Sequence, residues 1–154
     1  MAKAKRISPF LWFDGKAKEA AEHYVSVFPN SRITNLTEIS AGPANGAAQI
    51  EFELNGLTFT ALDGGPMFEM TPAISFVVPC ESQEEIDYYW DKLAEGGTQG
   101  FAGWLTDRFG LSWQVVPANL DELMARAPTA VMESLLTMTK INIDQLIEAS
   151  RRVG

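Results

Sequence analysis

The chain is poor in the residues that most often carry chemistry of their own. Its 154 residues include one cysteine, Cys80, and one histidine, His23. A lone cysteine cannot close an intrachain disulfide, and Cys80, which follows Pro79, has no basic neighbour in sequence to lower its pKa, so it reads as structural. His23 sits beside Tyr24 at the edge of a predicted helical stripe, and without a second histidine no Ser-His-Asp or Cys-His arrangement can form around the sheet residues below. Positive charge is also scarce. Twelve lysines and arginines face 20 acidic residues, a net charge of -8. The basic clusters are only "KAKR" near the start and "RR" near the end, so a phosphate backbone would be repelled rather than bound. Long apolar runs are missing as well. "ISPFLWF" (7–13) meets Asp14-Gly15 before it is long enough for a secretory core or a membrane span. These absences lead us to expect a cytoplasmic protein with neither nucleic acid nor membrane as partner.

What is present is a globular composition, 46% hydrophobic and 21% charged, in a chain long enough to bury a sizeable core. The most informative feature is an echo. "NGLTFTALD" (55–63) and "FGLSWQVVP" (109–117) share a Gly-Leu-hydroxyl-aromatic-polar order, with Thr60 in one where Gln114 stands in the other. Further back, "SPFLWF" (8–13) and "TPAISFVV" (71–78) each place a hydroxyl residue and a proline before an apolar run, and both read as strand openings. A helix follows the first: Ala17, Ala20, Ala21, Tyr24, Val27 and Phe28 repeat at helical spacing until Pro29-Asn30 stops them. The second copy repeats it with Ile86, Tyr89, Trp90, Leu93 and Ala94. Ser82 and Glu85 have capping-box spacing, and Gly96-Gly97 offers a left-handed stop.

Module one (7–65) continues with strands over 32–39, 48–54 and 57–62, the last two joined by Asn55-Gly56, the pair favoured in a type I′ hairpin. Module two (71–117) offers 73–78, a helix over 82–95, a short glycine-interrupted segment, 103–107 and 111–117. Both therefore read βαβββ, with one strand of the second eroded. A helical appendix (118–154) follows, with helices at 119–126, at 128–139 behind Pro128, and at 143–152 behind Asn142. "LDGGP" (62–66) is bracketed with Pro72 as a connector. It does not open into a helix, as a phosphate-cradling loop would.

Tandem βαβββ modules whose last strands carry matched polar residues resemble the vicinal oxygen chelate superfamily of glyoxalases, bleomycin-resistance proteins and extradiol dioxygenases. "SPFLWFDGKAKEAAEHYVSVFPNS", "ALDGGP", "AISFVV" and "GWLTDRFGLSWQVVP" are similar to its PhnB-like subfamily, over nearly the whole chain and the C-terminal helices included. Members often bear the name 3-demethylubiquinone 3-methyltransferase. The resemblance implies an α+β fold, 1–154 forming a single domain, in which two modules make a U-shaped, incompletely closed mixed sheet around a cleft, plus C-terminal helices. It also implies a homodimer and a metal position served by the first and last strand of each module. This chain offers Ser8, Pro9 and Phe10, then Ala73, Ile74 and Ser75, with Thr60 and Gln114. Hydroxyl and amide oxygens are weak donors beside histidine, carboxylate or thiolate, so neither a catalytic metal nor another cofactor is expected.

Period-two alternation selects the candidate site residues. If Phe59, Leu111 and Trp113 pack under the helices, then Thr58, Thr60, Leu62, Ser112, Gln114 and Val116 face the cleft, together with Phe10, Trp12, Ser75 and Val77. Gln49, Glu51 and Glu53 form an acidic edge. Ligand contact is assigned to Phe10, Trp12, Glu51, Thr58, Thr60, Ser75, Ser112 and Gln114. Each also has a plainer reading: Gln114 as an amide satisfied by backbone, Trp12 as core, Glu51 and Glu53 as solvated carboxylates. Glu51, nearer mid-strand, is the one candidate general base. No strand-GxGxG-helix stretch exists to bind S-adenosylmethionine, which argues against methyl transfer. The expected function is metal-independent binding of a small aromatic or planar molecule. The alternatives are an enzyme using a recruited metal or a cleft carboxylate, and an interaction module built on the helices, whose Met124, Met132, Leu135, Leu136 and Met138, like Met67, Phe68 and Met70 on the connector, could meet a partner.

Overall fold

The structure, a computed structural model, describes residues 6–42 and 45–152. It divides into two compact units, Met1–Met70 and Thr71–Gly154. Unit one holds β1 (Phe10–Phe13), α1 (Ala17–Val27), β2 (Arg32–Glu38), β3 (Ala48–Leu54) and β4 (Leu57–Asp63). Unit two holds β5 (Ser75–Cys80), α2 (Gln83–Ala94), β6 (Thr98–Gln99), β7 (Trp104–Thr106) and β8 (Ser112–Pro117), followed by α3 (Leu120–Arg126), α4 (Pro128–Leu135) and α5 (Ile143–Ser150).

Both units weave one topology. The first sheet runs β1-β4-β3-β2 and the second β5-β8-β7-β6, each open and four-stranded. In each, the opening strand lies parallel to the last, and the remaining pairs are antiparallel. The helix between the first two strands of each unit covers one face. In unit one, Ala17, Ala20, Ala21, Tyr24 and Val27 of α1 are buried together with Leu11, Phe13, Ile50, Phe52, Phe59 and Ala61. The cross-strand partners Phe52 and Phe59 stack at 5.3 Å. Alanines at 17, 20 and 21 let α1 approach the sheet closely, and Tyr24 joins the strand residues in filling the space between them. In unit two the helix side is bulkier, with Ile86, Trp90 and Leu93 of α2 buried over Val78, Cys80, Trp113 and Val115.

Local chemistry explains the element ends. Ser82 Oγ accepts the Glu85 N–H at 3.2 Å while Glu85 Oε2 accepts the Glu81 N–H at 2.8 Å, a capping box displaced by one residue. Asn55 and Gly56 both have positive φ (47° and 91°), as a type I′ turn requires. Asn142 Oδ1 caps α5 through the Gln145 N–H at 3.1 Å. The second helix of the appendix stops at Leu135, four residues short of the expected 139. There the chain turns, with Thr137 donating to the Ser134 carbonyl at 2.6 Å and the Met138 carbonyl accepting from Ala102.

One strand opening differs from expectation. Thr71-Pro72 does not begin β5. The Thr71 hydroxyl accepts the Ala73 N–H at 3.2 Å in a turn, and the strand starts at Ser75. The ladders decide the equivalence of the two halves. Phe10 lies opposite Thr60 and Val77 opposite Gln114, so Phe10 matches Val77 and Ser8 matches Ser75. Matching backbone bonds confirm it: Gly64 N–H to the Phe13 carbonyl at 2.9 Å, and Ala118 N–H to the Cys80 carbonyl at 2.8 Å. The two Ser/Thr-Pro pairs are a coincidence of composition, four positions out of structural register.

Candidate functional site

In unit one, the sheet face turned away from α1 carries four of the expected ligand residues in two cross-strand rows. Phe10, Thr60, Glu51 and Asn35 lie opposite one another along one row, and Thr58, Glu53 and Arg32 along the next. Thr58 and Thr60 are half-buried, whereas Phe10 (54%) is exposed. Glu51 is exposed and engaged: the Thr34 hydroxyl lies 3.1 Å from both its carbonyl and its Oε1. Arg32 Nε stands 3.6 Å from Glu53 Oε2. Exposed pairs of this kind contribute little to stability but leave this face charged.

Trp12 has a defined mooring. Its indole N–H donates to the Gly65 carbonyl at 2.9 Å, Phe68 meets its ring edge-on at 4.9 Å, and the ring lies so close to Gly64 that a Cβ there would stand 2.1 Å from it. The glycine pair of "LDGGP" is thus where backbone and indole pack against each other. Asp63, the preceding residue, accepts the Ala17 N–H at 2.7 Å and caps α1 from the end of β4. Sequence spacing could not announce that cap, because its partners are 46 residues apart.

In unit two, the equivalent face has a different character. Ser75, Ser112, Thr106 and Thr98 are successive cross-strand partners, so one row of hydroxyls crosses all four strands. The adjacent row reads Val77, Gln114, Trp104. Gln114 Nε2 donates to Ser75 Oγ at 2.9 Å, joining two of the expected site residues. Ser112 is 2% exposed, and its Oγ has no hydrogen-bond partner among the described residues. No ionisable side chain stands on this face in any of the four strands. Trp104 and Thr106 were not singled out from sequence, although the alternation in "GWLTD" already places them on one face with a leucine between.

Below that face, Asp107 organises the β7–β8 turn. It is 3% exposed; Oδ1 accepts the N–H groups of Phe109 and Leu111 at 2.9 and 3.0 Å, and Oδ2 accepts the Trp113 indole at 2.8 Å. Cys80, also buried, has its thiol pushed up to about 12, first by loss of hydration and then by Glu85 and Glu81. It is not a nucleophile at neutral pH. His23 lies on α1, half-buried, its ring 6.0 Å from that of Tyr24.

A divalent centre would have to be built from these residues. No group of three or more His, Cys, Asp or Glu side chains is placed to hold a metal ion among the described residues. The positions that match across the halves are Thr60 and Gln114, a hydroxyl and an amide, whose neutral oxygens are weak donors beside histidine, carboxylate or thiolate. The donor set therefore does not fit a divalent metal. Nor is any described helix long and apolar enough to cross a membrane.

Paired βαβββ units with matched strand order define a vicinal oxygen chelate, or glyoxalase-like, protein. Within that class, residues 5–116 match the family model described as 3-demethylubiquinone-9 3-methyltransferase, and the chain belongs to that family, the PhnB-like proteins. A PhnB protein from Bacillus cereus whose description carries the same methyltransferase name is 36% identical, with a TM-score of 0.64 over 73% of this chain and 99% of its own. A protein from Pseudomonas aeruginosa is 22% identical, with a TM-score of 0.62 over 74% of this chain and 98% of its own. The fosfomycin resistance protein FosX from Listeria monocytogenes shares the fold at 16% identity, with a TM-score of 0.55 over 77% and 95% of the respective chains. A comparison with curated proteins found no match. The family match ends at residue 116, before α3, so the appendix lies outside it, contrary to the expectation that the likeness would include the C-terminal helices.

Proposed function

We propose that this PhnB-like protein binds a small aromatic or planar molecule on the sheet faces opposite its helices, without a catalytic metal. The observation that carries the reading is the hydrogen-bonded Ser75–Gln114 pair beside Trp104 and the buried, unpartnered Ser112 hydroxyl. Few precisely directed polar groups next to aromatic surface are the usual composition of a small-molecule site. Unit one offers a face of its own for such contact, with Phe10, Trp12, Glu51, Thr58 and Thr60 on the side of its sheet turned away from α1.

Methyl transfer from S-adenosylmethionine is not part of this reading. Gly64-Gly65 leads into turns and not into a helix, so it does not form the glycine-rich strand-to-helix turn of a dinucleotide- or nucleoside-binding fold. A second reading rests on Glu51, the one candidate general base, whose carboxylate faces Thr60 across the ladder. Its engagement with the Thr34 hydroxyl and its exposure weaken that role. Related FosX crystals contain Mn(II), but at 16% identity that fact belongs to FosX alone.

Thermal-shift screening of the intact protein against aromatic metabolites and drugs should return stabilising ligands whose effect disappears in Gln114→Ala. Silence across a broad library would reject the binding reading. Elemental analysis should find no stoichiometric Zn, Ni, Mn or Fe, and a stoichiometric metal would overturn the metal-free part. We also propose a homodimer. The connector and the approach to β5 expose Met67 (73%) and Ile74 (65%), apolar surface that a second copy would cover, and light scattering should give twice the chain mass.

A further inference from the structure

We infer that the polar face of unit two selects uncharged ligands that present an amide-type edge, a hydrogen-bond acceptor beside a donor; this deepens the binding reading above and rests on it. With Nε2 given to Ser75, Gln114 keeps Oε1 as an acceptor, and Ser75, accepting from the amide, keeps its own O–H to donate. Ser112 Oγ, directly across the ladder from Ser75, is a second hydroxyl donor. A carboxamide or lactam edge complements this set. Its carbonyl accepts from the serine hydroxyls, and its N–H donates to Gln114 Oε1. Trp104, opposite Gln114, supplies an aromatic surface beside the polar groups.

Selection against charge follows from what the face lacks. A carboxylate or an amidinium brought to a row of neutral hydroxyls sheds water and meets no counter-ion. The matching rows of unit one carry Glu51, Glu53 and Arg32, so the neutrality is a property of the second half and not of the fold. Ser112 is the sharpest sign of a ligand. Buried hydroxyls are nearly always paired within the protein, and an unpaired one is a cost that a bound partner would relieve.

Three isosteric probes, benzamide, benzoate and benzamidinium, test this by backbone amide shifts of the full-length protein. Benzamide should perturb β7 and β8, and both charged probes should bind at least about tenfold more weakly. Ser112→Ala should retain or raise the melting temperature, since its hydroxyl makes no internal bond, while weakening benzamide roughly three- to tenfold. Gln114→Glu, which adds a charge without changing shape, should turn the preference toward benzamidinium. Equal binding of the three probes, or benzamide binding unchanged in both variants, would overturn the inference. If library compounds bind but benzamide does not, the amide-edge selection fails and the general binding reading stands; if nothing binds, both fail.

Discussion

Asp107 shows how much a single side chain can organise. One buried carboxylate terminates β7, closes the turn to β8 and anchors the Trp113 indole. Asp107→Asn would turn an NH2 group toward donors and lose the charge that strengthens all three bonds. We expect a loss of roughly 3 kcal/mol, read as a lower urea midpoint with an unchanged slope. Cys80 makes the opposite prediction, of silence. With its thiol held to about 12, it should resist alkylation in the native protein at pH 8 and react on unfolding. The linkage has a definite sign: the unfolded thiol ionises near its ordinary 9.0, the folded one only near 12, so stability should fall as pH rises between them. At this scale much was legible. Ser82 and Asn142 cap where their spacing says, because a cap joins residues three apart. Asp107, by contrast, stands out only once the turn brings the Trp113 indole within reach of its carboxylate.

At the scale of elements, the appendix is tied to the second unit through few, specific positions. Gln83, in the first turn of α2, donates to the Ile141 carbonyl at 2.9 Å and accepts the Ile143 N–H at 2.8 Å. Lys140 and Asp87 meet nearby at 2.9 Å, and the lysine, with Gln83, holds the Asp87 carboxyl below its ordinary value. The loop before β7 is held from the other side: Ala102 and Gly103 donate to the Met138 and Thr139 carbonyls, each at 2.8 Å. Gln83→Ala leaves two backbone groups unpaired, and we expect a cost of about 1–3 kcal/mol with faster hydrogen exchange confined to α5 and the Ile141 turn. Gly103 has φ +85°, and a Cβ there would stand 2.7 Å from the Val115 carbonyl oxygen and 2.8 Å from Ile141. Gly103→Ala should therefore cost about 1–3 kcal/mol and loosen β7, where Trp104 stands. The eroded strand was readable in the sequence, since glycines at 96, 97, 100 and 103 interrupt it and only Thr98–Gln99 forms a strand there. The start of β5 was not, because proline marks a turn as readily as a strand opening.

For the whole molecule, duplication and addition are separate events of structure. The family match spans 5–116, and the relatives it resembles in fold are covered almost completely while about a quarter of this chain extends beyond them. The appendix nevertheless buries Leu123, Val131, Leu135, Met138, Ile141 and Leu146. A chain ending at Ala118 should show a lower melting temperature and lose exchange protection at Gly103 and Ala102, whose carbonyl partners it lacks. Protection unchanged at those amides would mean that the clamp is not needed.

The order of elements was written in the sequence, because helical and strand periodicity, caps, and the Asn55-Gly56 turn act between residues a few positions apart, and the echo of two strands revealed the repeat. Only the tertiary structure decided that Ser8 corresponds to Ser75, that Gln114 reaches Ser75 across 39 positions, and that the Ser112 hydroxyl is buried without a partner. Those outcomes depend on the ladder register between distant strands. Alternation restricts which face a residue occupies but not which neighbour it meets.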